Sequence, residues 1–390
     1  MIKLLLLSHD ADLAGAERCL LDLVTKLDRS KFEPVVLVPW EGPLVDQLKQ
    51  ANVRYLIRCT IKHWIPYRNS ANWFYPFTYP IGLRARLWSL LQLIEAENID
   101  LVYTNTVTVL EGAIAARRAG IPHIWHIHEP TSGNPDIVSF LPARWVSRLC
   151  MALSSRIILP SHALARRLYA GAKSGVDVVH NGVDPGKFTR GIGENVRNEF
   201  AISPTSPIVT LIGISSARKD PITFVLAAQI VAQKHPNAYF LIAGKFADDG
   251  LRKQTLQLIQ ELNLTPRILL LGFFDRLEDL LAATTVHVST STQESFGLTL
   301  TEAMAAGKPV VATHCGGPEE VVADGLTGFV VAPKSPDAVA NAILTLLDDS
   351  DAAQRFGEAG RQRVHELFTT ETYAERVGNI ITEVYNAQRG

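Results

Sequence analysis

The sequence predicts an α/β protein built from two doubly wound domains, and three observations predict it. Short β-rich apolar runs alternate with helical patterns along most of the 390 residues. Many of these runs are apolar throughout rather than alternating, as parallel strands covered on both faces are. A run of chain punctuators, His180-Asn181-Gly182-Val183-Asp184-Pro185, divides the pattern near its middle, and the polar, mixed stretch 186–207 that follows reads as a linker. The expected organisation is an N-terminal Rossmann-like domain over 1–182 and a C-terminal Rossmann-like domain over 183–367. A terminal helix over 368–390 crosses the seam back towards the N-terminal domain.

In the first half, the runs at 2–8, 34–38, 54–57, 101–104, 123–127, 156–159 and 176–179 read as strands. In the second half, those at 208–212, 238–243, 268–271, 286–288, 310–312 and 328–331 do. Ligands of doubly wound sheets bind outside the carboxyl ends of the strands, so two halves facing each other place the ligand in a central cleft. In the last helix Tyr373, Val377, Ile380, Ile381 and Val384 fall at i, i+4, i+7, i+8 and i+11, one apolar stripe that must pack on something. The stretch 63–79 breaks the pattern, with Trp64, Tyr67, Trp73, Phe74, Tyr75, Phe77 and Tyr79 among prolines. It reads either as a long loop with its own small cluster or as an acceptor-binding or membrane-surface element, because rings beside cations suit sugar stacking and membrane interfaces.

Composition excludes several classes. The net charge of −1 argues against a chain built around nucleic acid. Cys19, Cys59, Cys150 and Cys315 lie far apart, which argues against a disulfide framework or zinc site and for reduced thiols in the cytoplasm. The apolar run Leu4 to Leu7 is too short for a signal peptide, and no stretch reaches the 18 or so apolar residues of a membrane span. The expected localisation is cytoplasmic, with peripheral contact at the inner face of the membrane left open. No serine-hydrolase triad signature, P-loop or G-x-G-x-x-G occurs.

The chemistry concentrates in 286–332. A strand there runs into a polar loop ending at Glu294, and a helix starts near Phe296-Gly297 and stops at Gly307 before Pro309. The helix start offers the N–H groups of Phe296, Gly297, Leu298 and Thr299, a ready anion site. Glu294 stands just outside it, and Glu302 stands five residues beyond Gly297, roughly 7–8 Å along the axis. Carboxylates repel phosphate and accept hydrogen bonds from hydroxyls. Two of them flanking an anion site therefore imply a ligand with hydroxyls on both sides of a diphosphate, which a nucleotide-sugar is. Alone, Glu-x7-Glu is a common accident of a solvated helix face; the strand–loop–glycine–helix context makes it specific.

With these residues in place, the chain resembles a family 4 retaining glycosyltransferase of the GT-B architecture, over nearly its whole length and most densely over 289–333. The resemblance implies that Glu294 contacts the donor hexose, that Glu302 contacts the nucleotide ribose, and that Gly297, Leu298 and Thr299 offer N–H groups to sugar and phosphate. Gly316-Gly317 and Glu320 match the family's following turn. Asn181-Gly182-Val183-Asp184 with Phe188 resembles its interdomain signature. Gly15-Ala16-Glu17 resembles its first glycine loop, with one glycine where the family usually has two. The segment from Gly120 to Glu129 resembles the one ending in a donor-side histidine; His128 is in register, and His126 is its rival. Gly213-Ile214-Ser215-Ser216-Ala217-Arg218-Lys219 resembles the phosphate clamp. Lys219 matches the family's lysine, but Ile214 stands where it usually carries arginine, and Arg218 is the available replacement. Gly244-Lys245 and Gly272-Phe273, at strand ends, line the expected base pocket. Asp12, His126, Trp64 and Trp73 are acceptor-side candidates.

A departing nucleoside diphosphate builds negative charge, which Lys219 and helix N–H groups would stabilise. Asp10-Ala11-Asp12 is a literal D-x-D, yet it lies far in sequence from Glu294, and the resemblance implies a metal-independent enzyme without cofactor. It also implies retention, with the departing phosphate assisting the acceptor on one face, so no protein nucleophile is named. The expected reaction moves a hexose, best matched by UDP-glucose, to a glycan or lipid-linked acceptor in polysaccharide or glycoconjugate synthesis. Two alternatives stand beside it. A nucleotide-sugar epimerase would act on donor alone; a non-catalytic nucleotide-sugar-binding protein would bind and turn nothing over.

Overall fold

The structure, a computed structural model, describes residues 1–68, 71–172 and 174–389. Each apolar run becomes a strand: β1 (Ile2–Leu7), β2 (Phe32–Val38), β3 (Arg54–Ile57), β4 (Leu101–Thr104), β5 (His123–His126), β6 (Arg156–Leu159), β7 (Val176–Val178), β8 (Ile208–Ile212), β9 (Tyr239–Ala243), β10 (Ile268–Gly272), β11 (Val286–Ser289), β12 (Val310–Thr313) and β13 (Gly328–Val331). They form two parallel sheets, ordered β3-β2-β1-β4-β5-β6-β7 and β10-β9-β8-β11-β12-β13. The chain divides accordingly into one unit of Met1–Gly182 with Thr370–Gly390, and a second of Val183–Thr369.

The continuous apolar runs have the expected cause. In β8, Ile208 and Ile212 enter one core while Val209 and Leu211 enter another, so both faces of the sheet are covered. In β1, Leu4 through Leu7 are all fully buried. One helix layer of the second unit includes Pro221–Lys234 and Pro336–Asp348, whose Phe224, Val225, Val339 and Ile343 share the core of Val209. The opposite layer includes Leu298–Ala305 and Ser350–Leu367, whose Leu300, Met304 and Val364 share the core of Ile208.

Sheet order matters more for function than layers do. In the first unit the order reverses between β1 and β4, and in the second between β8 and β11. At such a switch point the two loops leaving the strands diverge to opposite faces and open a crevice. The loops in question follow β1 and β4 in one unit, and β8 and β11 in the other.

Two expectations are corrected. The stretch 186–207 is not a linker: it carries the helices Pro185–Phe188 and Gly193–Glu199, and it buries Phe188 and Val196 in the second unit's core. Its polarity is that of helices packed by one side only. Nor is 63–79 uniform. His63 bridges Val109, Tyr67 bridges Ile137, and the Trp64 indole donates to the Val107 carbonyl at 2.7 Å. Residues 69 and 70 lie outside the described residues, and beyond them Trp73 and Phe77 stand exposed. The terminal helix Thr370–Ala387 belongs to the first unit and packs along the helix Gly15–Lys26. Its stripe Tyr373, Val377, Ile381 and Val384 is buried, and Glu371 pairs with Lys26 at 2.6 Å.

Candidate active site

In the second unit the loops leaving β8 and β11 are clamped together by hydroxyls. Thr290 Oγ1 donates to the carbonyls of Lys219 and Asp220 at 3.0 and 2.8 Å. The Thr292 N–H donates to the Arg218 carbonyl at 2.7 Å. Arg218 answers through Nη1 to the Gln293 carbonyl at 3.0 Å. The clamp fixes the backbone from which three charged side chains converge. Lys219 Nζ pairs with Glu294 Oε2, and Arg218 Nη1 lies 3.5 Å from the same oxygen. Adjacent residues often point apart; here a turn brings both cations to one carboxylate. Burial opposes ionisation of Glu294, but Lys219 and then Arg218 outweigh it and hold the carboxyl at about 2. Ile214 projects to solvent, 55% exposed, and supplies no charge.

Glu294 is also held through its backbone. Its N–H donates to the Cys315 carbonyl at 3.2 Å, and its carbonyl accepts from Gly317 at 2.9 Å. Gly317 is required by space: a Cβ there would sit 2.3 Å from the Phe296 Cα. Phe296 is itself buried, edge-on to Phe368 with ring centroids 5.6 Å apart, so only its backbone is available to a ligand. The helix Leu298–Ala305 starts on Gly297, at φ 110°, with no side-chain cap. An uncapped start leaves the first N–H groups, those of Leu298 and Thr299, to other acceptors. Glu302 is buried on this helix. At the neighbouring strand ends, a Cβ on Gly244 would meet the Gly213 carbonyl oxygen at 1.9 Å, which packs the ends of β8 and β9 together. The Lys245 ammonium lies 5.7 Å from the centre of the exposed Phe273 ring, just beyond Gly272. Arg218, Lys219, Glu294 and the helix start at Gly297 thus meet at the switch point, while Lys245 and Phe273 stand past the ends of β9 and β10.

The first unit has its own buried polar cluster past β1, β4 and β5. The Asn105 amide donates to the Ala16 carbonyl at 2.7 Å, which turns its oxygen to His128 Nε2 at 3.0 Å. That contact makes Nε2 the protonated nitrogen and Nδ1 the acceptor. Burial lowers His128 to about 3, so its imidazole is neutral near pH 7. His126 is not available as an acceptor ligand. It is fully buried, its Nδ1 2.7 Å from the Tyr103 hydroxyl and 3.5 Å from that of Tyr373. β5 ends at His126, and the two imidazoles lie side by side with ring centroids 4.0 Å apart, His126 fully buried and His128 partly exposed. Gly15 opens its helix exposed, while Trp64 is committed to Val107 and serves the fold.

Sequence reading missed one pair. His9 Nδ1 lies 3.1 Å from Glu17 Oε1, and His9 Nε2 lies 2.9 Å from the Tyr67 hydroxyl. Burial lowers His9 to about 3 and raises Glu17 to about 8, so near pH 7 both side chains are neutral. The only sequence signal was two polar residues bordering apolar runs. Asp10 of the D-x-D turns onto its own loop, accepting from the N–H groups of Ala11 and Asp12 at 2.7 and 3.2 Å; Asp12 is exposed. Among the described residues no group of three or more His, Cys, Asp or Glu could hold a metal ion, and no helix is long and apolar enough to cross a membrane.

Comparison with known proteins decides the family. Residues 13–187 match the family described as Glycosyltransferase Family 4, and residues 193–363 match that described as Glycosyl transferases group 1. The chain belongs to the family 4 glycosyltransferases. This glycosyltransferase is similar to N-acetyl-alpha-D-glucosaminyl L-malate synthase of Bacillus anthracis, 27% identical over 327 residues that cover 81% of this chain and 83% of the relative. It is similar to UDP-Gal:alpha-D-GlcNAc-diphosphoundecaprenol alpha-1,3-galactosyltransferase of Escherichia coli, 25% identical over 350 residues and 86% of each chain. Among solved structures, Anabaena HepE in complex with UDP and glucose matches with a TM-score of 0.83 at 24% identity, over 98% of this chain and 100% of HepE. That likeness shows the GT-B fold. A glycosyltransferase of this family takes a sugar-nucleotide donor and a glycosyl acceptor.

Proposed function

We propose that this enzyme transfers a hexose, glucose from UDP-glucose, with retention and without a metal, to a glycan or lipid-linked acceptor in polysaccharide or glycoconjugate synthesis. One observation carries the donor half: Lys219 and Arg218 converge on Glu294 beside an uncapped helix start. A diphosphate arriving there competes with Glu294 for both cations. It draws Lys219 onto its oxygens, takes the free N–H groups, and releases Glu294 to accept hydrogen bonds from sugar hydroxyls. Glu302, further along the helix, takes the ribose. In the transfer the bond from the anomeric carbon to the phosphate oxygen breaks, the bond to the acceptor oxygen forms on the same face, and the acceptor proton passes to the departing phosphate. Lys219 and the helix N–H groups stabilise the charge that builds on the diphosphate. His128, neutral with its Nε2–H given to Asn105, accepts a hydrogen bond from a hydroxyl of the donor sugar at Nδ1. The first unit binds the acceptor at the inner face of the membrane, by peripheral contact. The match to HepE in complex with UDP and glucose supports UDP-glucose; the bacterial relative named for a diphosphoundecaprenol acceptor supports a lipid-linked one.

Calorimetric titration with UDP, GDP and ADP, each with and without EDTA, tests the donor. Tight, EDTA-insensitive binding of UDP alone is expected. Binding lost with EDTA overturns the metal-free reading, and tighter binding of another nucleotide overturns the base. One observation favours a second reading, the exposed Ile214 where the family usually has arginine: a protein that binds the nucleotide-sugar without turnover. Release of UDP from UDP-glucose upon adding acceptor extracts excludes it.

A further inference from the structure

Unit 1 leaves Trp73, Phe77, Ile81, Trp88 and Trp145 71, 71, 70, 66 and 51% exposed. Single exposed rings are ordinary, but a contiguous set marks an interaction surface. These come from two segments that fold against each other: Tyr67 bridges Ile137, and Tyr75 stacks on Phe140 with ring centroids 6.3 Å apart and planes within 9°. The helices behind them carry ring and cation on one face. Arg84 and Trp88 stand one turn apart on the exposed side of Leu83–Ala96. On Ala143–Leu153 the Arg148 guanidinium lies 5.5 Å over the Trp145 ring, beside exposed Arg144. Residues 62–96 and 137–155 hold six lysines and arginines against one glutamate, Glu95; Arg86 is paired with the buried Glu111 at 2.8 Å, which leaves Arg84, Arg144 and Arg148 as the exposed arginines of the two helices, in a chain whose net charge is −1.

We propose that this face docks the enzyme on an anionic phospholipid surface. The proposal gives the peripheral contact named above its residues and its lipid chemistry, and it rests on that reading. Indole and phenyl rings partition into the headgroup region, and cations on the same face gain from a negative leaflet. The charge asymmetry decides the occupant, because a second copy of the same basic face would be repelled and a neutral apolar partner would leave the arginines without a counter-charge.

The test is sedimentation of the full chain with vesicles of phosphatidylcholine alone and of phosphatidylcholine with phosphatidylglycerol, at low and high salt. Co-sedimentation with the anionic vesicles only, lost at high salt, is expected, with a blue shift of tryptophan emission. Phe77→Ala/Trp88→Ala/Trp145→Ala and, separately, Arg84→Glu/Arg148→Glu should each lower vesicle partitioning at least tenfold while binding UDP as the parent does. Equal binding to neutral vesicles, no binding to anionic ones at low salt, or variants that bind like the parent would overturn the proposal. So would a dimer that the aromatic triple variant dissolves, which would assign the face to a second copy. Vesicle binding that persists in a protein without UDP affinity would remove the donor assignment and leave the docking intact.

Discussion

Glu294 is the residue on which the most chemistry turns. Its carboxylate pairs with two cations before any ligand arrives, so removing it and removing Glu302 should have different signatures. Glu302→Ala is expected to weaken UDP binding by about 1.5–3 kcal/mol, one charge-assisted hydrogen bond to a buried partner. Glu294→Ala is expected to cut turnover while sparing or tightening UDP, since Lys219 and Arg218 are then unopposed. Titration of both variants with UDP, alongside kcat, checks this; equal losses in both would put the two glutamates on the wrong groups. The His9–Glu17 pair makes a pH prediction. Glu17 rises from 4.5 to about 8 on folding and His9 falls from 6.5 to about 3. Between 4.5 and 6.5 the folded state holds a proton on Glu17 and the unfolded state holds one on His9, so the two slopes cancel. Above 6.5 only the folded state still holds its proton, so stability should fall as pH rises towards 8. Glu17→Gln should flatten that fall, read as Tm at a series of pH values; an unchanged slope would place the proton elsewhere.

At the scale of elements, the site is two loops joined by hydroxyls and one glycine turn. Gly317→Ala forces a Cβ against the Phe296 backbone, and backbone cannot swing aside as a side chain can. A destabilisation of about 1–3 kcal/mol is expected, with UDP affinity falling because the displaced Phe296 backbone leads directly into the helix start whose N–H groups take the diphosphate. Chemical denaturation and UDP titration on the variant check both; a variant with parental stability would mean that the turn yields without cost. This level was partly legible in the sequence. The strands were, because a strand buried on both faces must be apolar throughout. The helix start at Gly297 was, because glycine, loop and helix pattern adjoin in the chain. The convergence of Arg218, Lys219 and Glu294 was not, because 75 residues separate Lys219 from Glu294. The pairing of β8 with β11 brings them together.

For the whole molecule, chain order and unit membership differ. The terminal helix folds with the first unit, while Val183–Thr369 is continuous. Truncation after Thr369 removes Tyr373, Val377, Ile380, Ile381 and Val384 from the first unit's core, at about 1.5–3 kcal/mol for each buried side chain. That sum meets the roughly 5–15 kcal/mol stability of a whole domain. Calorimetry of the truncated chain should therefore lose the first unit's transition and keep one that UDP raises. Two retained transitions would show that the helix is dispensable.

The sequence by itself determined the fold class, the strands and, through the resemblance its motifs carry, the family, because these are written in local pattern: apolar runs, chain punctuators, a glycine before a helix. Only the tertiary structure decided which side chains meet. It placed Arg218 with Lys219, retired His126 to the core, committed Trp64 to the Val107 carbonyl, and paired His9 with Glu17. The physical reason is that hydrogen bonds and ion pairs form within a few ångströms in space, and sheet order, not chain order, sets which strand ends share that distance.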